Sequence, residues 1–336
     1  MDPAILFFLF GVGAGLLKSN LDIPAPIAKF LSLYLLMAIG LKGGFALAAS
    51  GLTHEVVVTL GSALLMACVV PLLGYAVLRR FLNGFDAAAI AATYGSVSAV
   101  TFITALQHLD THGLVYGGHM SAAMALMESP AIILGVLLAN RVRKQLAAGG
   151  GQAAAATGGP DAPHAPAAAP GGSATLGRML HEAMTDGAQL LLLGSMLVGL
   201  LAGDAGQRAM QPFAVDLFKG MLAFFLLDMG LLVARNLGGL RGCSRWLMAY
   251  ALVGPLVHAC LALGLAWSLA LSVGNAALLM VLSASASYIA VPAVVRHAIP
   301  EARPSLYFGM SLGLTFPFNI LFGIPLYVQL AQRVLT

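Results

Sequence analysis

Two stretches decide how this chain is read: Gly95-Ser96-Val97-Ser98, inside the apolar run 87–109, and Ser285-Ala286-Ser287-Tyr288, inside the run 276–298. Each run is long enough to cross a bilayer, where a spanning helix favours Leu, Ile and Val and leaves no backbone group unpaired. Serines and small residues at mid-span therefore require surroundings other than lipid. Two readings follow. Small residues let helices approach closely in any membrane bundle. Matched polar interruptions in two halves of a chain mark the solute site of a secondary transporter, where each restarted helix offers its N–H groups to an anion and carbonyls at the preceding ends suit a cation.

Composition limits the rest. With 60% hydrophobic and 9% charged residues, and a mean hydropathy of +0.91, the chain reads as an all-α polytopic membrane protein. Apolar runs bounded by charge, Gly and Pro predict ten spans: 4–20, 25–46, 55–80, 86–109, 114–144, 180–203, 211–236, 244–273, 275–299 and 304–333. Loops after odd-numbered spans hold twelve of the 17 Lys and Arg residues, among them Arg79, Arg80, Arg141, Arg143 and Lys144, against three on the other side. That bias predicts both termini outside a bacterial inner membrane and the central loop in the cytoplasm. It also accounts for the net charge of +4 without nucleic acid as a partner.

Residues 146–177, rich in Ala, Gly and Pro, read as a flexible cytoplasmic linker between repeats at 1–145 and 178–336. Thr175 to Gly187 reads as an interfacial lead-in helix. Across the linker, Gly15-Leu16-Leu17 recurs as Gly199-Leu200-Leu201, and the run from Tyr34 to Leu41 recurs from Phe224 to Leu231. Ser96 and Ser98 align with Ser285 and Ser287 at one offset. Five spans per half, an odd number, makes the second repeat inverted.

Ionisable residues within spans are costly and mark function. Glu128, in Met127-Glu128-Ser129-Pro130, reads as a cation ligand, a proton carrier or a structural bond to a neighbouring helix. Asp228 is a weaker case, and Tyr288 offers either a hydroxyl or packing volume at the second break. His108, His112 and His119 read as solvated loop residues, and His258 as a polar group inside a span. Cys68, Cys243 and Cys260 form neither a disulfide framework nor a metal-ligand spacing. Neither His-Glu-x-x-His, a nucleophile elbow nor a phosphate loop occurs, which disfavours an enzyme.

The sequence resembles the sodium-dependent bicarbonate transporter family, the SbtA-like permeases, along nearly its full length outside the linker. The matching segments include Leu41-Lys42-Gly43-Gly44, Gly95 to Ser98 with Thr101, Met127 to Ala131, and Ile324-Pro325-Leu326. The resemblance implies ten helices in two inverted five-helix repeats, with helices four and nine broken and crossing. Spans 3–5 and 8–10 would form a core that slides, elevator-like, against a gate of spans 1, 2, 6 and 7. It further implies a homotrimer in membrane lipid, sodium as the coupling ion, no other cofactor, and a PII-like cytoplasmic regulator. Carried onto this chain, substrate falls to Gly95, Ser96, Val97, Ser98, Ser285, Ala286, Ser287 and Tyr288, and the cation to Ser98, Thr101, Glu128 and Ser287. The chain departs from the family pattern at Ala99 and Val100, where Gly and Ser stand, and at Tyr288 and Ala290, where Asp and Ser stand. Glu128 replaces a family Asp.

The expectation is a carrier of a small anion, with sodium-driven bicarbonate uptake foremost. Its rivals are another small anion coupled to protons through Glu128, and a membrane receptor that binds solute without moving it.

Overall fold

The computed structural model describes residues 3–51, 53–155, 187–236 and 244–336, with the backbone alone for 50 and 147–155. Apolar helix follows apolar helix, and no strand occurs among the described residues. The order is α1 (Pro3–Leu16), α2 (Ala25–Ser50), α3 (His54–Leu78), α4 (Gly84–Gly95), α5 (Ala99–Thr111) and α6 (Met120–Ala155). After the central segment come α7 (Gly187–Gln211), a π-turn (Pro212–Asp216), α8 (Phe218–Asn236), α9 (Arg245–Ser268), α10 (Val273–Ala284), α11 (Ala290–Ala298) and α12 (Pro304–Leu335). Among the described residues, seven helical stretches are long and apolar enough to cross a membrane. The protein is an all-helical membrane protein.

Several boundaries differ from the sequence reading, each for a local reason. The first helix stops at Leu16 rather than residue 20, because Lys18 turns left-handed (φ 55) and the Ser19 amide closes back on Ala14 O at 3.0 Å. The fifth predicted span begins at Met120, not 114, since Gly113 (φ +66) turns the chain beyond α5. Its helix then continues to Ala155, ten residues into the predicted linker. The rest of that linker, most of the lead-in helix and Cys243 lie outside the described residues. Inside α7, Gly203 takes a φ of +53 and kinks the helix, a conformation open to glycine and strained for other residues, and Pro212 opens the π-turn that follows.

Glycines set which helices touch. A Cβ on Gly44 of α2 would fall 2.1 Å from Met196 O, and one on Gly199 of α7 would fall 2.6 Å from Leu41 O. The partner pair repeats the pattern: a Cβ on Gly11 of α1 would lie 2.3 Å from Leu227 O, and one on Gly230 of α8 would lie 2.2 Å from Phe8 O. With hydrogen in place of a methyl, the backbones of α2 and α7, and of α1 and α8, pack directly on each other.

The other helices gather around two that are buried on every side. Helix α4 is buried from Asp86 to Gly95 and α10 from Gly274 to Ala284, as expected of helices that are apolar all round. Helices α3 and α6 flank α4, while α9 and α12 flank α10. Ionic groups staple this body at one end. Asp86, 1% exposed, accepts from Arg303 Nη2 at 2.7 Å, from the Arg303 amide at 2.8 Å and from Asn83 Nδ2 at 2.7 Å. Arg143 donates to both oxygens of Glu301 and to Ala298 O at the end of α11. At the opposite end, Glu55 Oε1 accepts from the Ser272 amide and Asn275 Nδ2, and Asn275 Oδ1 accepts from the Gly117 amide.

Candidate functional site

The chain leaves helical geometry at both serine stretches. Helix α4 ends as Ser96 extends (φ -92, ψ 177), and α5 restarts at Ala99 with Ser98 as its N-cap, Oγ accepting from the Thr101 amide at 3.2 Å. Helix α10 ends as Ser285 extends (φ -80, ψ 164), and α11 restarts at Ala290, where Ser287 Oγ accepts from the Val291 amide at 3.3 Å. Gly95 is required here: a Cβ on it would meet the Pro71 ring at 2.7 Å.

The two interruptions bond to each other. Ser98 donates its amide to Ser285 Oγ at 3.0 Å, and Ser287 donates its amide to Thr93 O at 2.9 Å. Ser285 Oγ in turn donates to Leu282 O, at 2.8 Å. Asn319 of α12 donates Nδ2 to Ala284 O at 2.9 Å, so a carbonyl orphaned at the end of α10 finds a partner, while Tyr327 fixes Asn319 Oδ1 at 3.0 Å.

A cavity of about 100 Å³ lies where the restarted helices meet. Val97 to Val100 and Ser287 to Ala290 line it, with Glu128 and Gln189 beside them and Ser32, Leu36, Leu192 and Phe225 closing the far wall. The volume is small beside the roughly 300–1,000 Å³ of sites that enclose larger ligands, and suits a solute of few atoms. Amides of the first turn have no intrahelical acceptor; of these, Thr101 and Val291 are capped by serine hydroxyls, and the amides of Ala99, Val100 and Ala290 begin the two helices. Both positive helix ends thus open on one small space.

Each residue singled out in the sequence has a definite place. Ser98, Val97, Ser287, Tyr288 and Glu128 line the cavity. Gly95, Ser96, Ser285, Ala286 and Thr101 stand behind its wall, and Ser96 Oγ and Thr101 Oγ1 are buried without a hydrogen-bond partner among the described residues. Tyr288 is 4% exposed; its hydroxyl donates to Met229 Sδ at 3.7 Å and its ring packs on Phe316, 5.2 Å away. Glu128 accepts from Gln189 Nε2, a bond between α6 and α7. Asp228 lies half-buried outside the cavity.

One expectation is corrected. His119 is not a solvated loop residue: it is 5% exposed, with Nε2 unpartnered among the described residues. Burial pushes its imidazole below the usual range, against the pull of Glu55. The sequence reading also missed Gln189, Asn319 and Met229. Gln189 and Asn319 are lone amides in apolar helices, a signal of the same kind that drew attention to Glu128. Met229 carries no such signal.

No group of three or more His, Cys, Asp or Glu residues suited to a metal occurs among the described residues. No curated protein gives a significant match. The profile of the Na+-dependent bicarbonate transporter superfamily, a family of carriers rather than enzymes, matches residues 3–332. On a match covering nearly the whole chain, joined to an apolar helical fold with two serine interruptions bonded across a small cavity, this protein belongs to the Na+-dependent bicarbonate transporter superfamily.

Proposed function

We propose that the protein imports bicarbonate together with sodium, as an alternating-access carrier of ten spans in two inverted repeats. The observation that carries this reading is the single cavity of about 100 Å³ onto which the first turns of α5 and α11 both open. Bicarbonate has four heavy atoms and one negative charge. Two helix N-termini stabilise such a charge without a full counter-charge, so release does not require breaking an ion pair.

Glycine packing supports the inverted repeat. Gly40 and Gly230 are sequence equivalents, and a Cβ on each would strike a carbonyl of an equivalent partner, Leu192 in one case and Phe8 in the other, at 2.4 and 2.2 Å. Helices α1, α2, α7 and α8 then act as the scaffold, and α3–α6 with α9–α12 as the body that moves elevator-like against it. Both termini lie outside the bacterial inner membrane, and the carrier assembles as a trimer open to a PII-like regulator from the cytoplasm.

Sodium falls to Ser98, Thr101, Glu128 and Ser287, with Ser96 adjoining. Hard cations take oxygen ligands, and the buried hydroxyls of Ser96 and Thr101 have no other partner among the described residues. A second reading rests on Tyr288 and Ala290, which supply no carboxylate at the second break and leave Glu128 the carboxylate of the cavity lining among the described residues: a small anion coupled to protons.

Reconstituted protein is expected to accumulate labelled bicarbonate under an inward sodium gradient. Uptake that ignores sodium and follows a proton gradient selects the second reading. Binding without uptake excludes both.

A further inference from the structure

Two larger cavities reach α5 from the end remote from the breaks. The first, about 690 Å³, holds Lys42, but Lys42 pairs with Asp110 at 3.0 Å. The second, about 660 Å³, lies between α1, α5, α8 and α12, and its polar lining is Gln107, His108, Thr111, His112 and Lys219. No carboxylate is among the described residues that line it, and Lys219 makes no ion pair among the described residues. The His108 and His112 rings lie 4.2 Å apart. His112 Nδ1 sits 2.8 Å from His108 O, which can only accept, so that nitrogen carries hydrogen.

This second cavity adjoins the one between the breaks. Along α5, Ile103 lines the small cavity and Gln107 the large one, a single turn of about 6 Å apart. Along α8, Phe225 lines the small cavity and Ala223, two residues earlier, the large one. A stack of three rings fills the space between: Phe8 of α1 meets Phe316 of α12 edge-on at 5.6 Å, and Phe316 meets Tyr288 at 5.2 Å. Phe8 lies one turn beyond Ala4 and Ile5 of the large cavity, while Tyr288 lines the small one.

We propose that the cavity holding His108, His112 and Lys219 is a capture site for a small inorganic anion, feeding the site between the breaks once the Phe8–Phe316 contact opens. The inference rests on the carrier reading above. A recess with apolar walls whose charge, among the described residues, is of one sign concentrates ions of the opposite sign. Lys219 supplies that charge and, through its ammonium, the N–H donors; the His112 N–H is already committed to His108 O.

Two measurements test it, one independent of transport. With Cys68, Cys243 and Cys260 replaced by serine, Thr111→Cys is labelled with an anionic and with a cationic thiosulfonate reagent. The anionic reagent is expected to react about 3- to 10-fold faster, relative to a free thiol, at the low end of electrostatic steering. Lys219→Gln or high salt should remove that preference. Equal rates in the Lys219 protein overturn the proposal whether or not the protein transports. In vesicles, Lys219→Gln is expected to raise the bicarbonate KM about 3- to 10-fold with Vmax within about twofold, and Lys219→Arg to restore it. An unchanged KM, or a fall in Vmax alone, overturns capture while leaving the carrier reading intact. Absence of any uptake counts against the carrier reading, and the labelling ratio still decides the cavity's charge.

Discussion

Ser285 makes the two breaks one unit. Its hydroxyl gives its proton to Leu282 O and accepts the Ser98 amide, so one oxygen closes α10 and positions the start of α5. Ser285→Ala leaves a buried amide without an acceptor, a cost of about 1–3 kcal/mol. Uptake is expected to fall about tenfold, roughly the rate equivalent of 1.4 kcal/mol; normal uptake by this variant would detach the cross-bond from function. Glu128→Gln isolates a charge instead, because an amide oxygen can still accept from Gln189. Half-saturating sodium is expected to rise by about tenfold or more, with a smaller change for bicarbonate. A sodium titration of uptake that matches the parent protein removes Glu128 from the cation ligands.

At the scale of elements, close helix packing and helix interruption both depend on residues without bulk. Gly199→Ala sets a methyl 2.6 Å from Leu41 O, a backbone atom that moves only if α2 and α7 separate. A loss of about 1–3 kcal/mol is expected, seen as a lower unfolding midpoint. Gly61→Ala is the control: nothing lies within 4 Å of the added carbon, and the helix gains about 0.5–1 kcal/mol from reduced chain entropy. The interruptions were legible in sequence for the same reason. Serine at mid-span has few explanations in lipid, and Ser96, Ser98, Ser285 and Ser287 stand at one offset. Side-chain bonds between distant helices were not legible. Nothing in the local pattern tells that Gln189 meets Glu128 across 61 positions, or that Asn319 closes α10 across 35. Burial of His119 was missed because a loop sequence does not reveal the helices that fold over it.

Across the whole molecule, ionic staples hold the body that carries both breaks. The Arg143 guanidinium beside Glu301 holds that carboxyl below the usual carboxylate range. A depressed folded-state value means the contribution is present above the unfolded value, about 4.3, and lost as pH falls through the folded one. Glu301→Gln is therefore expected to lower the unfolding midpoint at neutral pH, by less than about 1 kcal/mol for so exposed a pair. The difference should close as pH drops below about 4. A gap that is constant with pH would assign the effect to packing.

The breaks lie between the two stapled ends, where α4 and α10 stop, and what they hold is the central question. The most direct measurement is a structure of the protein in lipid with sodium and bicarbonate. A four-atom anion is expected beside Tyr288, within hydrogen-bonding distance of the amides that begin α5 and α11 at Ala99 and Ala290. An anion bound elsewhere, with Ser98 and Ser287 sealed against each other and no solute between them, would contradict that arrangement.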